Sequence, residues 1–191
     1  MAQRSAPIST PQYVPAGTAE DGDGIVIGGG PATVDIYIDF LCPFCRQFEE
    51  SSGAALDALA AAGESSLVYH PLGFLDRLSS TRYSSRAAAA SGCAADQRKF
   101  SEYRSALFAN QPEEGGPGLS DDELAQLGLA LELDPGFARC IDGGRYLQWS
   151  AYLTTRSAER GVSGTPSAFV DGVPVPANAT MIAAAIQAAA G

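Results

Sequence analysis

The chain has 191 residues, 46% of them hydrophobic, enough for one domain with a full core or a small fold carrying an insertion. Its net charge of −10 weighs against nucleic acid and anionic membrane surfaces as partners, since both are themselves polyanions. No window approaches the roughly 20 apolar residues of a membrane span, and the polar, proline-rich start from Met1 to Tyr13 does not look like a signal peptide.

In chain order, residues 1–23 are rich in Pro, Ser, Gly and Ala, with few apolar anchors. They read as a flexible tail or linker, leaving residues 24–191 as the folded domain. Ile25-Val26-Ile27 reads as a short edge strand. Gly28-Gly29-Gly30-Pro31 ends it as a turn; the run lacks the Lys-Ser/Thr of a phosphate-binding loop. Thr33 to Phe40 is the first strong strand, Arg46 to Ala62 a helix, and Ser66 to Leu72 the next strand.

The middle of the chain is helical. Tyr83 to Ala95 is alanine-rich, and Gln97 to Ala109 carries Phe100, Tyr103, Leu107 and Phe108 at spacings of three and four. Ser120-Asp121-Asp122-Glu123 is a capping box opening a helix over Leu124 to Leu133. Pro135 starts a short helix holding Phe137 and Cys140, and Arg145 to Arg160 is amphipathic up to Gly161. Asp171-Gly172 then joins Ser167–Val170 to Val173–Val175 as a hairpin, and Asn178 caps a closing helix over Ala179 to Ala190.

Cys42-Pro43-Phe44-Cys45 carries the chemistry. Two cysteines two residues apart, between a buried strand and a helix, form a thioredoxin-like redox signature. A helix N-terminus offers unpaired N–H groups and the positive end of the macrodipole, which favour a thiolate. Cys42 is therefore the expected attacking thiol, on the exposed side, with Cys45 one turn in and more buried. Pro43 suits the first helical position, where no N–H is needed. Phe44 is expected to be exposed beside Cys42, where it could pack against unfolded substrate. The alternative, half of a metal site, needs two further ligands. Asp39, three residues before Cys42, reads as a modulator or proton relay, or as a strand-end carboxylate. Asp35 shares that ambiguity. His70, the only histidine, reads as a surface or core-edge residue, and Trp149 as part of a core stripe.

Gly164-Thr165-Pro166-Ser167 matches the cis-proline loop that faces the cysteines in such folds, with the Thr165 side chain close to the Cys42 sulfur. Cys93 and Cys140 are distant in sequence. They read as free buried thiols in a reducing compartment and as a pair in an oxidising one.

Together, Phe40-Leu41-Cys42-Pro43-Phe44-Cys45-Arg46-Gln47-Phe48, Phe100-Ser101-Glu102-Tyr103, Leu107-Phe108-Ala109-Asn110-Gln111 and Gly161-Val162-Ser163-Gly164-Thr165-Pro166 resemble the DsbA-like thiol:disulfide oxidoreductases, most of all the exported or membrane-anchored branch of Gram-positive bacteria and actinobacteria. The resemblance runs from about Ile25 to Ala190. It implies an α/β thioredoxin fold, with a helical insertion at about residues 76–160 between the central strand and the cis-proline loop. It implies no cofactor and no metal. It further implies an extracytoplasmic monomer that oxidises reduced or unfolded exported proteins and is reoxidised by a membrane partner of the DsbB or VKOR type. An exported chain needs a signal or anchor, so one is expected to have been removed from the start.

By the same match Cys42 is the nucleophile, Cys45 the resolving thiol and Thr165-Pro166 the substrate-facing loop. In an exported protein Cys93 and Cys140 become a structural disulfide. Where the best-known members carry a histidine between the cysteines, this chain has Phe44, which cannot stabilise a thiolate through charge. A reductase or isomerase uses the same residues, with the reduction potential deciding the direction. A copper or zinc metallochaperone holding its ion through Cys42 and Cys45 is the alternative outside enzymes.

Overall fold

The structure, a computed structural model, describes residues 11–189. Its centre is a five-stranded sheet in the order β1-β3-β2-β4-β5. The strands are β1 (Ile25–Gly28), β2 (Ala32–Ile38), β3 (Ser65–Pro71), β4 (Ser167–Val170) and β5 (Val173–Val175). β2 and β3 are parallel and every other neighbouring pair is antiparallel. A parallel pair needs a crossover, and the helices after the cysteine motif supply it. β2 and β3 are buried on both faces, so Tyr37, Val68 and His70 are as sequestered as Val34, Ile36 and Leu67.

The crossover starts at Pro43, earlier than the expected Arg46, because Cys42 already acts as the N-cap. It runs as α1 (Pro43–Phe48), a π-helical turn over Glu49–Gly53, and α2 (Ala54–Ala61). The wide turn holds Glu49 toward α4 (Phe100–Ala109), where the buried Arg104 guanidinium pairs with both Glu49 oxygens, at 2.9 and 3.2 Å. Arg104 also pairs with Asp57 at 2.8 Å and lies over the Tyr69 ring at 4.5 Å. A buried cation with two carboxylates and an aromatic face keeps its charge compensated.

Between β3 and β4 lie a 3-10 turn (Asp76–Leu78), α3 (Tyr83–Asp96), α4, α5 (Asp121–Ala130), α6 (Pro135–Asp142) and α7 (Leu147–Glu159). This is the helical insertion of a thioredoxin fold. α4 begins three residues later than the helical spacing predicts, since Gln97–Lys99 turn the chain and Arg98 takes a left-handed φ of 58°. α5 begins at Asp121, with both halves of the Ser120/Glu123 capping box formed, and stops before Glu132, at φ 61°. Cys93 on α3 and Cys140 on α6 are joined as a disulfide, Cα atoms 5.9 Å apart. The closing helix, α8 (Ala179–Ala189), is capped by Asn178, whose side chain accepts from the Met181 N–H. At the hairpin tip Asp171 exchanges two hydrogen bonds with Thr33 at the start of β2, each 2.8 Å.

Two expectations change here. Residues 1–10 lie outside the described residues, but residues 16–23 are not detached from the domain. The Val26 N–H donates to the Gly17 carbonyl, the Trp149 indole N–H to the Gly22 carbonyl at 2.7 Å, and the Tyr152 hydroxyl to the Asp21 carbonyl at 3.0 Å. A segment poor in apolar side chains is held by its main chain. It also carries Asp23 into the interior, which corrects the reading of His70. That ring is 1% exposed, with Nδ1 3.1 Å from an Asp23 oxygen and Nε2 2.8 Å from an Asp35 oxygen. Tyr37 stacks on it at 4.3 Å, and Arg160 ion-pairs with the other Asp23 oxygen. The flanking carboxylates outweigh burial and push the His70 pKa up. Trp149 is fully buried, as its helical spacing predicts.

Candidate active site

β2 ends at Ile38, and the next four residues turn the chain from sheet into helix. Cys42 sits at the turn's end as the N-cap of α1, with extended backbone (φ −74°, ψ 118°) and Pro43 at the first helical position. Its carbonyl takes the Cys45 and Arg46 N–H groups at 3.1 and 3.2 Å, closing the first turn. The sulfur is thereby held at the end of the helix where N–H groups lack partners.

Cys42 and Cys45 are both thiols in this structure, and both are buried. Cys42 was expected on the exposed side, yet it is only 4% exposed. The cover comes from the loop before β4: the Cys42 thiol donates to the Thr165 carbonyl at 3.3 Å. The Thr165–Pro166 peptide is cis. The sequence points to the Thr165 side chain at the sulfur; the structure adds the carbonyl, which takes the Cys42 thiol. Both matter, since a hydrogen bond from the side chain favours the thiolate and the carbonyl serves the thiol.

The two sulfurs are electrostatically unequal. A hydrogen bond from Cys45 does most to lower the Cys42 pKa, to about 6, helped by the main-chain N–H groups of Cys45 and Phe44 and opposed by burial. Burial pushes the Cys45 thiol far up, and its bond to Cys42 adds to the rise. A pair split in this way ionises at the outer sulfur first.

Asp39 lies behind them, fully buried. One carboxyl oxygen accepts from the Leu41 N–H at 2.9 Å and the Ser84 hydroxyl at 2.7 Å; the other accepts from the Leu75 N–H at 2.9 Å. Burial pushes its pKa up to about 6 in spite of these bonds, and Cys42 contributes to the rise. The Asp39 N–H points at the Cys45 sulfur, 3.5 Å away. Asp35 is turned away to His70 and does not join the site.

Two open grooves meet at Phe44, whose ring is 67% exposed. One, of about 720 Å³, has Cys42 in its wall, with Phe74, Leu75 and Val162 as apolar lining and Arg77 and Glu114 as charged lining. The other, of about 420 Å³, runs past Phe48, Ser51 and Pro166 and does not include Cys42.

Sequence reasoning assigned no role to Ser84 or Gln111. The Gln111 amide donates to the carbonyls of Phe40 and Cys42, each at 3.0 Å, from the loop after α4. A serine pair inside the alanine-rich start of α3 was the one available signal for Ser84; Gln111 closes one of the family-like motifs, but nothing in its neighbourhood says what its side chain contacts.

The sequence model of the thioredoxin family matches residues 20–188, which contain the sheet, the cysteine motif and the whole insertion. The chain belongs to the thioredoxin family.

Among solved structures it is similar to the reduced disulfide bond oxidoreductase DsbG of Mycobacterium tuberculosis, at 29% identity and TM-score 0.78 over 89% of this chain and 88% of that one. It is similar to reduced DsbA of the same organism, at 29% identity and TM-score 0.76 over 88% and 93%. It is thus a DsbA-like member of the thioredoxin superfamily, with the cysteine pair of a thiol:disulfide oxidoreductase. A curated relative, the serine/threonine-protein kinase PknE of Mycobacterium tuberculosis, is 35% identical over 157 residues. That match takes in 75% of this chain, which spans 28% of the relative's length. In the DsbA-like protein the insertion is not remote from the chemistry: Ser84, Leu75 and Gln111 all come from the segment between β3 and β4.

Proposed function

We propose that this protein is an extracytoplasmic thiol oxidase that introduces disulfides into reduced, exported proteins. The observation that carries the proposal is the unequal pair: Cys42 acidic at the helix N-cap, Cys45 held protonated behind it. In the oxidised enzyme a substrate thiolate attacks the Cys42 sulfur. The Cys42–Cys45 bond breaks, and Cys45 leaves with the electron pair and takes up a proton. A second substrate thiolate then attacks the substrate sulfur of the mixed disulfide, and Cys42 leaves as a stabilised thiolate. The substrate has lost two electrons and gained a disulfide; the enzyme has become a dithiol. An acidic Cys42 makes the second step fast and the enzyme more oxidising.

The Cys42 groove, with the Thr165 carbonyl at its edge, suits an extended chain presenting an apolar side chain beside its cysteine. Asp39 acts as a modulator, since its charge opposes that on Cys42. Cys93–Cys140 serves as a structural brace. The monomeric state and a membrane reoxidant of the DsbB or VKOR type belong to the same proposal. No helix among the described residues is long and apolar enough to cross a membrane. Phe44 favours a second reading, a reductase or isomerase, because it adds no charge to stabilise the thiolate.

Equilibration with glutathione separates the two. A potential near about −120 mV supports the oxidase and one near about −270 mV the reductase. Oxidation of a reduced, unfolded test protein by the disulfide form must accompany the former.

A further inference from the structure

We propose that Gln111 is a positioning residue for Cys42: its side-chain amide clamps the two main-chain carbonyls that bracket Leu41, and so fixes the turn that aims the sulfur along the helix N-terminus. The proposal rests on the reading of Cys42 as the reactive thiol.

The geometry is specific. One nitrogen, Nε2, lies 3.0 Å from the Phe40 carbonyl and 3.0 Å from the Cys42 carbonyl. Only an NH₂ group satisfies two acceptors at once, so the chemistry decides which way the amide faces. Phe40 is fully buried and lies past the end of β2, where no strand partner is at hand for its carbonyl. A buried carbonyl without a donor is costly, and here the donor comes from a residue 71 positions away.

The second bond matters more for reactivity. The Cys42 carbonyl already accepts the Cys45 and Arg46 N–H groups of the first helical turn. Gln111 adds a third donor from outside the helix, which fixes the orientation of the Cys42–Pro43 peptide. The N–H groups of Phe44 and Cys45 that favour the thiolate belong to the next two peptides along. A rotation of the first peptide moves the sulfur off those donors. Gln111 also sits at the root of the loop carrying Glu114, which lines the Cys42 groove. Farther along, the same loop is fastened by the Gly115 N–H to the Leu78 carbonyl at 2.7 Å.

The test is the pH dependence of Cys42 alkylation by iodoacetamide, followed with the glutathione equilibrium, in the wild type, Gln111→Leu and Gln111→Glu. Leucine keeps most of the volume and removes both donors. Glutamate keeps the shape and donates one hydrogen at most. Both variants should move the alkylation midpoint up by about half a pH unit, a ~3-fold loss of thiolate below the midpoint, and make the protein less oxidising. Asn110→Ala alters only a bond to the Ala106 carbonyl at the end of α4 and should leave the profile unchanged.

A variant that melts at lower temperature but keeps the wild-type profile and glutathione equilibrium overturns the proposal, because a structural tie alone predicts that outcome. If neither variant folds, the wild type decides: the Gln111 side-chain amide resonances should shift with the Cys42 titration, and resonances that ignore it overturn the proposal. Failure of the underlying reading looks different, since a wild-type Cys42 titrating as an ordinary thiol near pH 8.5 removes it outright.

Discussion

The Cys42 thiol meets the Thr165 carbonyl at 3.3 Å, joining two segments 123 residues apart in the chain. That bond exists only while the sulfur carries its proton. Once Cys42 ionises or enters a disulfide, the carbonyl becomes free to accept an N–H from a chain lying in the groove. If the protein acts as proposed, protonation of one sulfur and grip on a substrate backbone are linked through this single oxygen.

Cys42→Ser should abolish oxidation of a reduced test protein, while Cys45→Ala, offered a disulfide-bonded test protein, should trap mixed disulfides through Cys42, the second substrate sulfur leaving as a thiol. Cys45→Ala also removes the largest influence lowering the Cys42 pKa, so its thiol should titrate clearly above about 6. Non-reducing gels and the pH dependence of alkylation check both outcomes; turnover by Cys42→Ser would refute the mechanism.

Reduced and oxidised forms should differ in how their stability depends on pH. The folded Cys42 pKa lies below its unfolded value, so ionisation stabilises the reduced form fully above the unfolded pKa of about 8.5. That stabilisation disappears as pH falls through about 6. The disulfide form has no such group. Denaturant melts of both forms from about pH 5 to 8, below the range where the raised Cys45 thiol works against the reduced form, should show that form losing ground toward acid; parallel curves would contradict the acidic thiol.

Asp39→Asn should destabilise the protein by about 1–3 kcal/mol at pH 5, because the amide cannot accept from Leu41, Leu75 and Ser84 together. The folded Asp39 pKa is raised to about 6, so the wild type loses stability between about pH 4 and 6, where the unfolded carboxyl ionises while the buried one keeps its proton. The penalty of the substitution should therefore shrink by pH 8. Removing the charge should also lower the Cys42 titration midpoint. Chemical denaturation and alkylation profiles measure the two effects separately.

His70 should titrate above 6.5 and hold residues 16–23 on the sheet while protonated. Both ring nitrogens face carboxylates, an arrangement that satisfies an imidazolium and leaves a neutral ring with one lone pair against an oxygen. Asp23, Asp35, Arg160 and Arg156 supply the surrounding charge, and Tyr37 the stacked ring. A raised histidine pKa gives stability present below the unfolded value and lost as pH climbs through the folded one. Compared with His70→Gln, the wild type should protect the amides of residues 16–26 best at pH 6.5 or below, with the advantage fading toward alkaline pH. Exchange measured across that range tests it.

Replacing Cys93 and Cys140 together by alanine should cost about 4 kcal/mol, from freeing a loop with a sequence separation of 47. The Cys42 alkylation profile should stay as in the wild type, since the bridge ties α3 to α6 away from the motif. A changed profile would show that the brace reaches the active site.

The features legible in the sequence are those written in neighbouring residues. The hairpin at Asp171-Gly172, the Ser120/Glu123 capping box and the helix starting at the cysteine motif each need only a few adjacent side chains, and the structure has all three. The loop over Cys42 was legible as a motif, though not its depth of cover, whereas the Asp39 cage and the His70 cradle draw on partners dozens of residues apart, which no spacing rule encodes. The segment at residues 16–23 misled for a related reason. Composition measures how many apolar side chains a stretch can bury, whereas this stretch is held by carbonyl groups and one aspartate.

Phe44 lines both grooves, and Cys42 lies in the wall of the larger one. Disulfide exchange needs the incoming sulfur roughly in line with the bond that breaks. On the proposed mechanism the first substrate thiol reaches Cys42 through this groove, and the second attacks the substrate sulfur from the same open side. A protein with its two cysteines close in space can queue them on one flexible stretch, so substrate loops too stiff to advance should stall as mixed disulfides.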